Sequence, residues 1–385
     1  SHALLFTLSA LCADSTTIET LKHQLLALLT GENGRVNAES PQYADISEFF
    51  NQLIEAEEAE EGRAYWRHKN LATPLRLEPV TRNAVVADVP QFTPELFTFA
   101  VDPSVLDRIA SLSRSAGVST RVFLLACWQI LLWRVTGLDR FTIGVSTHGR
   151  TYEEIAAALG LFARYLPVTT QLRADLTFTE VLNEIELATQ EVEKWQDYFA
   201  WPNDDGQLSF FPVCFDFTDS PALPESNGLS VTHGLQYVCV DRFDLRLSVI
   251  SRGEQLTMAL YYNSVIYQRE EIERLAERYQ KLLESIALSP ETEIGKLEIL
   301  GQRERHQLLF EFNDTNHDFN QDKCLHQLFE EHAVNSPDRI ALVFGKQRLT
   351  YRELNERANQ VAHYLRRLQL IPNTPVGIFQ NRSIE

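Results

Sequence analysis

The hydrophobic pattern along the chain switches repeatedly between a two-residue and a 3.6-residue period, which predicts strands and helices in alternation. Residues 4–11 (LLFTLSAL) read as an opening strand. Thr16 and Glu19 have the spacing of a capping box, and Leu21, Leu25 and Leu28 share one face of the helix that would follow. Gly31 and Gly34 would end it. Residues 43–67 predict a second helix, whose acidic run at 55–61 (EAEEAEE) reads as a solvated face. Residues 70–95 carry Pro74, Pro79, Pro90 and Pro94 and read as an irregular crossing between lobes. Asp102 and Pro103 fit the cap and first position of a helix that Gly117 ends. Ser119 caps the next helix, which is apolar enough through Val135 to be buried on most sides.

Strands are predicted at 140–147, 164–172, 209–217, 236–250 and 255–263, and helices at 177–196 and 269–287. This order predicts an α/β fold built on a mixed sheet. Residues 288–322 are polar and broken up and read as a linker. Beyond it come a helix at 325–334, a strand at 339–344 and a turn at Gly345. A helix started by the Thr350–Glu353 capping box and a strand at 375–380 follow.

Length and charge narrow the function classes. A chain of 385 residues predicts two or three units. Its 53 acidic against 35 basic residues give a net charge of −18, which opposes binding to nucleic acid or to an anionic membrane surface. The apolar run Val122–Val135 contains Gln129 and Arg134 and is too short to span a bilayer. The five cysteines are odd in number and form no CxxC pair, so neither a disulfide framework nor a metal site is expected. A cytoplasmic location is expected from that cysteine usage.

No standalone catalytic signature is present: no P-loop, GxGxxG, HExxH or GxSxG. Ser146 and His148 lie two apart at a strand end. Such neighbours point the same way without touching well, which argues against a nucleophile–base pair. The aromatics Trp195, Tyr198, Phe199 and Trp201 read as core packing. Asp241 and Asp244 read as surface or turn residues. Composition and spacing alone leave a soluble mixed α/β protein of open role.

Motifs in order take the reading further. The stretch LHQLFEEHAVNSPDRIALVFGKQRLTYRELNERANQVAHYLR, with LTYREL at 349–354, resembles the opening of an adenylation domain from a nonribosomal peptide synthetase. In that family the phosphate loop, adenine pocket and catalytic lysine lie further along, so the resemblance implies no ATP site within 324–385. Residues 1–300 resemble a condensation domain. Tyr43-Ala44-Asp45 with Tyr65-Trp66, Gly160-Leu161-Phe162 with Leu166-Pro167, Trp195-Gln196-Asp197-Tyr198, Phe211–Phe215 and Phe243-Asp244-Leu245 are similar to that family's landmarks, in its order.

The resemblance implies a chloramphenicol-acetyltransferase-like, two-lobed condensation fold. Its parts would be a partial N-terminal lobe at 1–95, a C-terminal lobe at 96–300, a linker at 301–323 and the first elements of an adenylate-forming domain at 324–385. The family's HHxxxDG motif falls on Ser9–Ser15. Ser9 and Ala10 replace both histidines, Ser15 replaces the glycine, and Asp14 is retained. Asp14 is expected to form a structural ion pair with Arg150. His148, Arg164, Tyr165 and Trp195 are expected on the acceptor side of a substrate tunnel, the last three replacing the Asn, Thr and His of the family motifs.

The implied function is a part in a nonribosomal peptide synthetase module. The condensation-like domain would act on, or dock, acyl and aminoacyl thioesters carried on 4'-phosphopantetheine arms of partner carrier domains. Amide formation would be impaired or lost, because neither Ser9 nor Ala10 can replace an imidazole. An active variant relying on substrate positioning is one alternative. Another is a non-catalytic platform that recruits a tailoring enzyme to carrier-bound amino acids. No directly bound cofactor is expected. Partners would be carrier domains and the rest of the adenylation domain.

Overall fold

The computed structural model describes residues 4–30, 42–79, 92–201, 210–220, 236–253, 255–316, 323–371, 374–379 and 383–384. They divide into two units, Ser1–Gln307 and Leu308–Glu385. The ends predicted at Gly31 and Gly34 lie outside the described residues.

In the first unit, helices α1 (Ser15–Thr30), α2 (Tyr43–Glu55) and α3 (Glu60–His68) precede strand β1 (Pro94–Phe99). Then come α4 (Pro103–Ala116), α5 (Thr120–Thr136), β2 (Arg140–Thr147), β3 (Arg164–Gln171), α6 (Phe178–Lys194), β4 (Val213–Asp219), β5 (Leu245–Arg252), β6 (Gln255–Asn263) and α7 (Arg269–Leu288). The six strands form one sheet in the order β1-β6-β5-β4-β2-β3. The β2–β4 and β4–β5 pairs are parallel and the other three antiparallel, so the sheet is mixed.

Strand alternation gives the sheet two different faces. Val145, Leu166, Phe215, Leu247 and Leu260 point into the main core, with residues of α4, α5, α6 and α7. Tyr165, Cys214, Ala259 and Tyr261 belong to a smaller cluster on the opposite face. Helix α5 is buried continuously from Val122 to Trp133, as its apolar sequence requires. Asp102 and Ser119 cap α4 and α5 through their side chains, and Gly117 and Gly137 end them in the left-handed region. Among the described residues no single helix is long and apolar enough to cross a membrane.

The structure departs from the sequence reading at several places. Residues 4–9 are not a strand: Leu4, Leu5 and Phe6 are exposed. A strand needs a partner ladder, and no described segment pairs with this one. Helix α1 is capped by Asp14, which accepts from Thr17 N at 2.8 Å, and Thr16 lies inside the helix. The helix expected over 43–67 breaks at Ala56, whose ψ of 152° leaves the helical region. A 3-10 turn at Glu57–Ala59 re-aims the chain, buries Ala59 and brings Gly62 against the Tyr198 ring. A Cβ on Gly62 would fall 2.1 Å from that ring, so a larger residue would push it aside.

The crossing read as irregular over 70–95 gives way at its end to a strand, since Pro94 and Glu95 begin β1. Pro94 is its first residue and β1 is an edge strand, the position where proline costs no ladder bond. Residues 236–244 precede β5 rather than extend it, and Asp244 is buried, not at the surface. Burial pushes its carboxyl up. The expected linker begins later than its polarity indicated. Ile294 and Leu297 are buried in the main core, and Arg134 Nη1 donates to both carbonyls at 3.1 and 2.9 Å. Residues 302–309 form a further helix, α8 (Gln302–Leu309).

The second unit contains α9 (Leu325–Asn335), a hairpin of β7 (Ile340–Phe344) and β8 (Gln347–Thr350), and α10 (Tyr351–Arg367). The Thr350–Glu353 capping box starts α10. Tyr351 packs its ring against Phe329 and His332 of α9. Residues 375–379 form no strand.

Candidate functional site

Two residues 136 positions apart in the sequence anchor the site. Asp14, the cap of α1, is fully buried. Arg150 follows β2 in a loop whose turn requires Gly149 at φ 64°. Arg150 Nη1 donates to Asp14 Oδ2 at 2.8 Å and Nη2 donates to Asp14 Oδ1 at 3.0 Å. The carboxylate also accepts from Thr17 N at 2.8 Å and from Phe162 N and Ala163 N, both at 3.0 Å. Arg150 reaches Thr17 Oγ1 and the carbonyls of His148, Ala158 and Gly160. Its guanidinium lies over the Phe162 ring at 4.6 Å. Burial alone would raise the Asp14 pKa. The Arg150 hydrogen bonds and charge, helped by Thr17 and Phe162, outweigh it and hold the carboxyl below its ordinary value.

This latch borders a cavity of about 650 Å³, walled by the ends of β2, β3, β4 and β5 and by the start of α1. His148, Arg150, Arg164 and Tyr165 line it together with Ser146, Asp216 and Arg246. Trp195 is not among the lining residues. It stacks on Tyr65 at 6.0 Å and accepts from Trp66 Nε1 through its carbonyl at 2.8 Å. Nor do Ser9 and Ala10 line the cavity. Both are exposed, in a turn closed by Cys12 N donating to Ser9 O at 3.0 Å.

His148 accepts a hydrogen bond on Nδ1 from Arg150 N at 3.0 Å, which places its own proton on Nε2. Burial, then the Arg150 charge, depress its pKa, although Glu193 and Asp14 oppose this. Ser146 Oγ donates to Asp216 Oδ1 at 2.7 Å, so its hydroxyl engages a carboxylate rather than His148. Arg164 Nη1 donates to Gln196 O at 3.2 Å, and its Nη2 stands 4.0 Å from Asp197. Burial lowers the Arg164 pKa and raises that of Asp197.

Motifs alone do not single out Asp216 and Arg246. Their signal is a charged residue flanked on both sides by apolar ones within a strand, Asp216 in FDF and Arg246 in LRL, at positions alternating with core residues. The structure turns both onto the cavity face of the sheet. Among the described residues no group of His, Cys, Asp and Glu side chains could hold a metal ion.

Known proteins match this arrangement over the whole chain. A family model described as the condensation domain matches residues 1–309, and one described as an AMP-binding enzyme matches residues 329–385. The chain is 28% identical over 399 residues to bacitracin synthase 3 of Bacillus licheniformis, with 100% of this chain and 6% of that protein covered. It is 28% identical over 393 residues to tyrocidine synthase 3 of Brevibacillus parabrevis, again with 100% of this chain and 6% of that protein covered. The chain thus spans less than a tenth of the length of these relatives. Among solved structures, the condensation domain of the Monacolin K polyketide synthase MokA superposes with a TM-score of 0.63 at 21% identity, covering 74% of this chain and 69% of that one. The X-domain from teicoplanin biosynthesis, solved in complex with OxyB, gives 0.62 at 21%, covering 76% and 69%. The chain therefore belongs to the condensation-domain family of nonribosomal peptide synthetases, with the start of an AMP-binding domain behind it.

Proposed function

We propose that the first unit is a condensation-like domain that docks carrier-bound acyl or aminoacyl thioesters and has little or no amide-forming activity of its own. One observation carries this reading. By the motif resemblance Ser9 and Ala10 stand in place of the two histidines, and the structure keeps the buried ion pair of the motif's aspartate, Asp14, with Arg150. A hydroxyl and a methyl group cannot shuttle the amine proton near neutral pH. The scaffold is kept and the proton chemistry is not. His148 does not replace the lost base, because its Nδ1 is occupied by Arg150 N.

The substrate arm in this reading is the 4'-phosphopantetheine of a carrier domain, and the cavity receives the acyl group at its end. The residues at 324–385 serve as the opening of the adenylation domain. The test is a condensation assay on the full chain with loaded donor and acceptor carriers. Amide product at or near the uncatalysed rate is expected. Product well above it, unchanged in Ser9→Ala, would overturn the reading and show catalysis by positioning alone.

A second reading is a platform for a tailoring enzyme, favoured by the likeness to an X-domain that was solved in complex with OxyB. Direct binding of a purified tailoring oxidase to the full chain, measured by interferometry, separates the two. Saturable binding that carriers do not displace supports the platform.

A further inference from the structure

Among the described residues, Arg246 is a cavity-lining cation with no carboxylate at contact distance. Arg246 of β5 is 2% exposed and lines the cavity. Its Nη1 donates to Val238 O at 2.8 Å and to Tyr165 OH at 3.3 Å. Its plane is packed by Tyr261 at 4.4 Å and Phe243 at 4.6 Å. The other edge is different. Nε is buried without a hydrogen-bond partner, and Nη2 makes none among the described residues. No described carboxylate lies within 4.0 Å of the group.

The other lining arginines are engaged elsewhere. Arg150 is held by Asp14, Arg121 by Glu193 and Ser146 O, and Arg164 by Gln196 O. Asp216 is the acid next to Arg246 on the sheet, since Cys214 pairs with Arg246 and Asp216 with Ser248. Its two oxygens accept from Ser146 at 2.7 Å and Ser248 at 3.2 Å, and neither accepts from Arg246. Burial works against the Arg246 charge, but Tyr165 and Asp216 outweigh it and hold the guanidinium protonated.

Nε has no accessible surface, so Nη2 is the nitrogen left for a ligand; a buried, positioned guanidinium offers a carboxylate a charge-assisted hydrogen bond there, and leaving it unpaired is costly. Tyr165 and Val238 hold Nη1, and the Tyr261 and Phe243 rings pack the plane, which fixes the position of Nη2. We propose that Arg246 is the specificity residue of the cavity and that it selects acyl groups ending in a carboxylate. This rests on the reading that the cavity receives a carrier-borne acyl chain, and it adds the chemical class of that chain.

The test uses the full chain and three non-hydrolysable pantetheine amides, carrying glutaryl, glutaramoyl and pentanoyl chains, in isothermal titration. The glutaryl and glutaramoyl probes differ only in carboxylate against neutral amide. Glutaryl is expected to bind about 10-fold or more tightly, and Arg246→Met to abolish the difference while pentanoyl affinity is retained. Arg246→Lys, which keeps the charge but not the fork, is expected to keep part of the preference and serves if the Met variant does not fold. Equal binding of all three probes to the unaltered chain overturns the carboxylate assignment and leaves the acyl-docking reading standing. No binding of any probe overturns both.

Discussion

Asp14 and Arg150 stand 136 residues apart in the chain and meet in a two-pronged ion pair, with Nη1–Oδ2 at 2.8 Å and Nη2–Oδ1 at 3.0 Å. The pair joins the start of α1 to the loop after β2 and is fixed by three backbone N–H groups on the carboxylate side. Replacing one partner strands a charge inside the protein, which costs about 3–5 kcal/mol. Arg150→Met and Asp14→Asn are each expected to lower the urea midpoint substantially. Asp14→Asn combined with Arg150→Met is expected to cost less than the sum of the two, the signature of direct coupling. Additive losses would mean that the two side chains act separately.

Acid should weaken the same region through two groups. The Asp14 pKa is depressed in the folded state, so its contribution is present above the unfolded value of 3.8 and is lost as pH falls through the lower folded value. His148 is also depressed, because burial and Arg150 disfavour its charged form. Between its folded pKa and the ordinary value of 6.5 the unfolded chain binds the extra proton, so stability falls as pH drops through that window. An NMR titration should place the His148 midpoint below 6.5, and His148→Gln should flatten the stability profile just below that pH without altering the later loss at Asp14. A His148 midpoint at or above 6.5 would contradict the buried, Arg150-facing environment.

The pattern of the chain was legible where local chemistry agreed with packing. The caps Asp102, Ser119 and Thr350 could be read directly, since each side chain satisfies a backbone N–H of its own first turn. Strand 140–147 and helix 269–287 follow from uninterrupted periodicity. The reading failed where a distant partner decides the outcome. Leu4–Leu8 alternate well enough for a strand but have no described partner, whereas Pro94 begins a strand because β6 is there to pair with it. Ile294 and Leu297 sit in a polar stretch, and only the groove next to Arg134 makes them core. In the site, Asp14 and Arg150 could be named together only through the family resemblance, because nothing local links them. Asp216 and Arg246 needed strand phase: odd positions 215 and 245 face the core, which sends the charges at 216 and 246 to the cavity.

Thiol chemistry should sort the five free cysteines by position. Cys12 and Cys324 are exposed, Cys239 is half-buried, and Cys127 and Cys214 are buried. Burial pushes the Cys127 and Cys214 thiols well up, which suppresses the reactive thiolate. A disulfide reagent is expected to modify two thiols quickly, one slowly and two only in denaturant. Fast modification of all five in the folded chain would be inconsistent with α5 and β4 being packed as described.

Gly149 gives the most local test of the latch. Its φ of 64° is a left-handed conformation, and a Cβ built there would lie 1.9 Å from Phe162 O. Phe162 is the residue whose N–H binds Asp14 and whose ring underlies Arg150. Gly149→Ala must therefore strain its own backbone and push away the segment that completes the carboxylate's shell. A cost of more than about 1 kcal/mol is expected. Gly253→Ala is the control: it has a similar φ of 63° in the β5–β6 turn but open space around the added carbon, so it carries only the backbone strain. Gly149→Ala should exceed Gly253→Ala in urea midpoint loss and should also raise the His148 midpoint, because the Arg150 N–H moves off Nδ1. Equal losses in the two variants, with His148 unmoved, would show that the loop carries strain but does not hold the site.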